Sequence, residues 1–415
     1  MLAGALIFYV VYHTTKFRFA EASSLRSSSD AAIIFDVSQK IVALADYPAR
    51  LSLRNFSELF PYPPPTVLIF AALTAGGRQW FIATWLILMA AGLLYVLKNT
   101  LSGEAEPTRA AWLLIGALAL VVAGSPVAWD LRSANSNLIY LGVVMLGYAN
   151  AGRRPILAGC CVGLSIALKL YSGLLLGWLV IYRPKAAVAG LVASVCLWLA
   201  LPLATFGPTG TLALYDGWLE QVRIISGYWV YALDVTREGP PLVTLRRAAM
   251  TVAGAGPGAA ATRWIIGGLL TAWTALLIWY VQRAWKAGVP AVPSRAMLAD
   301  WVVLLLAPLP FSPWLEPYHA IALLPAALLL TAVAFDPDVS ARDRLVATAS
   351  VVGVLLVREI PHSFSLRGFS LLAQFALLVG ASVMLRGGFG REARPASRTA
   401  AERRGSNIFL SGERS

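Results

Sequence analysis

Charge is scarce in this sequence. Lys, Arg, Asp and Glu make up 13% of its 415 residues, while 58% are hydrophobic. A soluble domain ordinarily carries about 25% charged residues and 45–50% apolar ones. An aqueous surface cannot accommodate this excess of apolar side chains, whereas a bilayer can, so a soluble globular fold is excluded. Histidine is also rare, with three residues, His13, His319 and His362, at no common spacing. That argues against a dedicated metal site, whose ligands recur at defined intervals. The three cysteines, Cys160, Cys161 and Cys196, all fall within apolar runs. This is the setting of buried small hydrophobes, not of a disulfide framework. No glycine loop of the GxxxxGKS or GxxxxGKT kind is present, so the chain is no phosphate-loop ATPase motor. Its halves share no evident similarity, which weakens an inverted-repeat transporter.

What is present in quantity is apolar runs. A crossing helix needs about 20 mostly apolar residues. Runs near 1–15, 64–76, 79–97, 111–128, 137–151, 155–183, 186–206, 263–283, 298–313, 319–335, 344–357 and 366–386 predict an all-α polytopic membrane protein of about 12 crossings. The run 155–183 is long enough for one tilted helix or two half-helices meeting at Lys169. Residues 1–15 lack a small-residue cleavage site, lead straight into Lys16 and Arg18, and are short for a crossing. This suggests that the natural chain starts earlier. Fourteen Trp and 14 Tyr suit the two membrane–water interfaces.

The net charge of +13 comes from basic residues scattered as singles and pairs. Nucleic-acid binding would want them clustered on one folded face. Arg153 with Arg154, Arg183 with Lys185, Arg283 with Lys286, and Arg342 with Arg344 instead mark short cytoplasmic loops. The longer stretches 16–63 and 207–262 have a more balanced charge and are expected outside. Orientation does not alternate cleanly between 64 and 137, so a short or re-entrant segment is expected there. One membrane domain over 1–386 is followed by a basic tail, 387–415, expected to be disordered and cytoplasmic.

The first outer stretch has internal order. Ile33, Ile34, Val37, Ile41 and Leu44 fall on one helical face, with Asp36, Gln39 and Lys40 on the other. The spacing predicts an amphipathic helix over 31–45, suited to the membrane surface. Asp30 stands just before it, either as the helix N-cap or as a catalytic base at the outer surface, roles that are compatible. The stretch closes with Phe60-Pro61-Tyr62-Pro63-Pro64-Pro65, in which each proline fixes the backbone.

Four more places carry polar groups that an apolar chain would not keep idly. Lys169 sits in the middle of an apolar run, where a lysine faces a partner anion or a cavity more often than it snorkels. A lipid phosphate would suit it. Arg132, Asn135 and Asn137 follow Trp129-Asp130 in a turn. They serve turn chemistry or bind hydroxyls and phosphate. Pro308–His319 contains four prolines and groups His319 with Trp314, Glu316 and Tyr318, as a ligand site or as an interfacial structural histidine. Trp218, Tyr228, Trp229 and Tyr231 anchor at an interface or stack on a sugar ring.

Taken in chain order, these features form a series. An early Asp and an amphipathic helix lead to Asp46-Tyr47-Pro48 and Phe60-Pro61-Tyr62-Pro63-Pro64. Asn135-Ser136-Asn137, Gly152-Arg153-Arg154, Lys169-Leu170-Tyr171 and Arg183 follow. Ser312-Pro313-Trp314 with Tyr318-His319 closes the series. It resembles glycosyltransferase family 87, a membrane family of the GT-C fold, over about residues 25–335. The resemblance implies a GT-C-type bundle of about 12 transmembrane helices, with the amphipathic helix in the first outer loop. It implies a polyprenyl-phosphate sugar donor, often of mannose and in related members of arabinofuranose. It also implies an active site on the outer face of a bacterial-type inner membrane. The Asp at the start of the first outer loop, here Asp30, is then the catalytic base, with Lys169 and His319 at the active cavity. The sequence departs from the family pattern where Ala134-Asn135 replaces the usual Gly-Gln, and where Ala45 replaces a glycine before Asp46-Tyr47. These departures bear on acceptor and sugar specificity.

The expected function is an inverting, mannosyltransferase-like transfer to a lipid or glycan acceptor. Asp30 takes the acceptor proton. Lys169, His319 and Arg132, with Asn135 and Asn137, hold the donor phosphate and sugar, and Trp314 and Tyr318 flank them. The expected partners are membrane lipids, the lipid-linked donor and a glycolipid or glycan acceptor. No cofactor is implied beyond that donor and no metal ligand is assigned, although a divalent metal stays open. Two other readings stand beside this one. A lipid-linked-sugar flippase would need a basic cavity but no base, and an envelope scaffold would not depend on Asp30, Lys169 or His319.

Overall fold

The computed structural model describes residues 30–43, 62–101, 130–131, 134–231, 254, 260–286, 294–308, 321–359 and 374–386. Helices and turns make up these residues, with no strand among them. The chain opens with α1 (Asp30–Ala43), α2 (Pro64–Ala71) and α3 (Gly77–Leu101), followed by α4 (Asn137–Asn150) and α5 (Pro155–Leu168). Next come α6 (Gly173–Tyr182), α7 (Pro184–Val195), α8 (Leu201–Tyr231) and α9 (Ala260–Lys286). The last are α10 (Arg295–Leu306), α11 (Leu323–Phe335), α12 (Ala341–Glu359) and α13 (Gln374–Arg386). Prolines open α2, α5 and α7, where the missing N–H costs nothing and φ is already helical. Ser294 caps α10, its Oγ accepting from the Met297 N–H at 3.2 Å.

The chain is an all-α membrane protein. Among the described residues, three stretches, Pro64–Thr100, Pro184–Arg223 and Arg263–Lys286, are long and apolar enough to cross a bilayer, and five shorter apolar helices accompany them. The crossings expected at 1–15 and 111–128, and the tail 387–415, lie outside the described residues. Three runs gain detail. The run 64–76 is an eight-residue helix and a 3-10 turn, parted from α3 at Gly77, whose φ is 82°. At 1.5 Å per residue α2 rises about 12 Å, far less than the hydrocarbon thickness. The run 155–183 is two half-helices, α5 and α6, parted by an extended Lys169 (φ −150°, ψ 114°) and a 3-10 turn at Leu170–Ser172. The polar stretch from 207 is helical as far as Tyr231, because the break at Gly207 (φ 65°) redirects the helix without ending it.

Glycines set the closest helix approaches. A Cβ at Gly159 on α5 would collide with the carbonyl oxygen of Ala186 on α7, and one at Gly163 would lie 2.6 Å from the carbonyl of Gly190. On the other side, a Cβ at Gly142 of α4 would lie 2.6 Å from the Gly92 Cα of α3. Lipid tails are as apolar as the side chains, so such backbone proximity is a main source of attraction between membrane helices. Gly159→Val is therefore expected to cost about 1–3 kcal/mol of stability, since a backbone carbonyl cannot turn aside as a side chain can. A thermal scan of the detergent-solubilised protein checks this, and an unchanged midpoint contradicts it.

The buried centre runs through α10 and α11. Every residue from Ala296 to Leu306 and from Leu323 to Val333 is buried. By contrast, Val188, Leu191 and Val192 of α7 and Trp264, Ile278 and Trp285 of α9 are exposed, as a lipid-facing surface requires. One end of this bundle is basic. There Tyr148 donates to the Ser294 carbonyl at 3.0 Å, and Arg295 pairs with Asp336 at the foot of α11. Burial alone would raise the Asp336 carboxyl, but the Arg295 hydrogen bond and charge, the Asp338 N–H and the Arg344 charge together outweigh it and hold the group below its usual value. Slightly deeper, the buried Asp300 carboxylate accepts from Trp178 Nε1 (3.2 Å), from the Tyr280 hydroxyl and from Arg386 Nε (2.9 Å). One side chain thus ties α6, α9 and α13 to α10, a contact with no precursor in the sequence pattern.

Candidate functional site

The opposite end of the same helices holds a second polar cluster. The N-terminus of α4, the C-terminus of α5 and the start of α6 meet there, against α1 and α2. Asp30 is the first residue of α1. On the apolar face of that helix Ile34, Val37 and Ile41 are buried and Ile33 partly so, while Gln39 and Lys40 are exposed, as the amphipathic pattern predicts. The helix packs against protein. Phe35 meets the Phe81 ring of α3 edge-on at 5.4 Å, and Ser38 Oγ donates to the Val67 carbonyl of α2 at 3.2 Å.

The Asp30 carboxylate turns toward distant parts of the chain, away from its own helix. Its Oδ2 accepts from the Tyr62 hydroxyl at 2.8 Å and from Asn135 Nδ2. No described residue donates to Oδ1. Tyr62 is placed by Pro63 after it and by Thr66, whose hydroxyl donates to the Ala167 carbonyl at 3.0 Å. That bond fastens the first turn of α2 to the end of α5, beside the break at Lys169. The Lys169 ammonium lies 5.8 Å from the centre of the Tyr62 ring, a cation–π distance. Tyr62 thus touches both the carboxylate and the lysine.

Asn135 is presented by a tight turn. Its N–H donates to the Asp130 carbonyl at 3.0 Å, and the Ala134 N–H donates to that of Leu131 at 3.3 Å. Ala134 itself has φ 45°, a left-handed conformation costing a side-chain-bearing residue about 1–2 kcal/mol. Trp85 Nε1 holds it there by donating to the Ala134 carbonyl at 2.9 Å. Asp130 closes the arrangement from beneath. Its Oδ1 accepts from Asn137 Nδ2 at 2.7 Å and its Oδ2 from the Leu138 N–H at 3.1 Å, so it caps the positive end of α4.

Charge balance follows from this placement. Burial pushes the Asp30 carboxyl up to about 6, while the Tyr62 hydrogen bond, the Lys169 charge and the Asn135 amide pull it back. At neutral pH it is largely a carboxylate, with one oxygen held and no described donor on the other. Burial also raises Asp130, against the pull of Asn137, Lys169 and the Leu138 amide. Burial and the Asp30 charge raise the Tyr62 phenol well above its ordinary value, so it remains a donor.

Of the residues picked out from sequence, Asp30, Asn135 and Lys169 come together. Asn137 joins the same cluster one step back, facing Asp130. Arg132, Trp314, Tyr318 and His319 lie outside the described residues. Trp218 packs against Trp198 and Tyr215 at 5.9 and 6.5 Å, in an aromatic group of its own. Two members of the cluster escaped the sequence reading as site residues, Tyr62 and Asp130. Tyr62 sat in a proline run read only for its rigidity, and Asp130 stood beside the turn that drew attention.

The molecule is thus a helical membrane protein with a held carboxylate set beside a lysine at a break between half-helices. Residues 60–233 match the model of glycosyltransferase family 87. No curated protein and no solved structure matches the chain. The matched stretch contains Tyr62, Asp130, Asn135, Asn137 and Lys169. Asp30 lies upstream of it and joins the site through its hydrogen bonds.

Proposed function

We propose that the protein is an inverting membrane glycosyltransferase that moves a sugar, mannose in the first instance, from a polyprenyl-phosphate donor to a lipid or glycan acceptor. The observation that carries this reading is the Asp30 carboxylate, held on one oxygen by Tyr62 and Asn135 and neighboured by Lys169. Asp30 Oδ1 takes the proton of an acceptor hydroxyl as its oxygen attacks the anomeric carbon. The bond from that carbon to the phosphate oxygen breaks on the opposite side. The leaving polyprenyl phosphate is already anionic and needs a cation more than an acid. Lys169 supplies it, with Arg132 and His319 completing the grip and Trp314 and Tyr318 flanking the sugar. Arg153, Arg154, Arg183 and Lys185 sit at the other ends of α4–α7, and the positive-inside rule assigns those ends to the cytoplasm. The carboxylate then faces the outer side, where a bacterial-type inner membrane offers lipid-linked sugars and envelope acceptors.

The test is purified protein incubated with polyprenyl-phosphate mannose, or its arabinofuranose counterpart, and a glycolipid acceptor. Free polyprenyl phosphate and a product of inverted anomeric configuration are expected. No release from either donor overturns the donor class, and retained configuration overturns direct attack. The pH profile gives a second check. A base must be deprotonated, so kcat is expected to fall as pH drops through about 6, where Asp30 takes up its proton. A rate flat from pH 7.5 to 5 speaks against Asp30 as the base.

A further inference from the structure

We infer that Asp130 is a positioning residue for Asp30, acting through the turn that carries Asn135; this rests on the transfer reading above. The geometry is a chain of contacts with no slack. The Asp130 backbone carbonyl accepts from the Asn135 N–H at 3.0 Å, and its side chain takes Asn137 Nδ2 at 2.7 Å and the Leu138 N–H at 3.1 Å. A single residue thus holds both sides of the turn, its start and the first turn of α4 beyond it. Between those anchors lies Ala134 in the left-handed region. A backbone held in that region persists only where its surroundings over-determine it. Release of the α4 anchor therefore lets Ala134 relax and withdraws the Asn135 amide from Asp30. Asp130 is fully buried and both its oxygens are engaged by the protein, so it is not open to substrate. Its hydrogen bonds, not its charge, are what the turn requires.

The consequences are distinct from those of a general structural role. Asp130→Ala is expected to lower kcat about 100-fold, the scale on which a small displacement of a reacting group acts, with little change in donor KM. Asp130→Asn keeps an acceptor for the Leu138 N–H and can pair with a flipped Asn137 amide, so it should recover most of the rate. In an Asn135→Ala background, Asp130→Ala should cost little more, since the route from Asp130 to Asp30 is already cut. Fully additive losses, or an Asn variant as poor as the Ala variant, overturn the inference. Should Asp130→Ala fail to fold, Asn137→Ala removes the Asn137 bond to Asp130 and keeps that from Leu138, and is expected to show the same kcat loss in milder form.

The transfer reading fails separately, if the wild-type protein turns over neither lipid-phosphate sugar. Carbodiimide labelling of Asp30 at neutral pH, read by mass spectrometry, then decides the inference without turnover. The reagent attacks the protonated acid. Loss of a negative neighbour on its own favours the Asp30 carboxylate and lowers labelling, whereas loss of the Asn135 donor raises it. Increased labelling in Asp130→Ala, as in Asn135→Ala, supports the positioning role, and decreased or unchanged labelling overturns it.

Discussion

Asp30→Asn is expected to abolish sugar transfer, with kcat reduced about 10³- to 10⁴-fold, toward the upper end of what a positioned base contributes. The substitution changes little else. Asparagine has the same shape, and its amide oxygen can still accept from the Tyr62 hydroxyl that bonds Oδ2 at 2.8 Å. Removing a buried negative charge relieves desolvation, the largest influence on this carboxyl, so the variant should be no less stable in detergent. Donor binding is assigned to the lysine side of the cluster, so donor KM should stay near the wild-type value. The signature is a fall in kcat alone. Asp30→Glu supplies the complementary result. It keeps the charge and proton affinity but carries the carboxylate one methylene further, so activity should drop yet persist. An Asn variant retaining a tenth of wild-type kcat would remove Asp30 as the base.

How much of this site the sequence disclosed can be judged residue by residue. Asp30 and Lys169 were visible because each is a local anomaly, an acid at the head of an amphipathic pattern and a cation inside an apolar run. The half-helix break at Lys169 was one of two readings of an overlong apolar segment, and the extended backbone at that residue decides between them. The contact between the two residues was not legible, because it passes through Tyr62, which is 32 positions from Asp30 and 107 from Lys169. Neither hydropathy nor helical period carries such distances. The replacement of a usual glycine by Ala134 was legible only as a departure. Its φ of 45° supplies the meaning. Glycine suits that position because the turn is left-handed, and here the Trp85 indole and the Asp130 anchors hold alanine where glycine would go unaided. At the basic end, the Asp300–Arg386 pair was invisible for the opposite reason. Arg386 looks like the first of several tail arginines, and only packing reveals that it faces inward. Hydropathy showed no boundary at Gly77 or Gly207, where positive φ turns the chain within the candidate spans 64–100 and 184–223.

Lys169→Gln is expected to act on two observables at once, and that combination identifies the role of the lysine. If its ammonium grips the donor phosphate, its loss should raise donor KM and lower kcat/KM by about 10²- to 10³-fold, the scale set by deleting one donor to a developing anion. Its charge also favours the ionised form of Asp30. Without it the Asp30 carboxyl moves to higher pKa, and the acid limb of the pH–rate profile shifts upward from about 6. Both effects come from one charge, yet they separate experimentally, since raising the pH restores the base but not the phosphate grip. At high pH the variant should therefore recover only the share of kcat lost to Asp30 protonation, while donor KM stays high. Lys169→Arg tests the shape of the cation. A planar guanidinium does not replace a compact ammonium packed 5.8 Å from the Tyr62 ring centre, so the arginine variant should retain the pH limb better than the donor affinity. A glutamine variant with unchanged donor KM and only a displaced pH limb would confine Lys169 to tuning Asp30 and leave the phosphate to Arg132 and His319. A variant unchanged in both would separate the lysine from the reaction altogether.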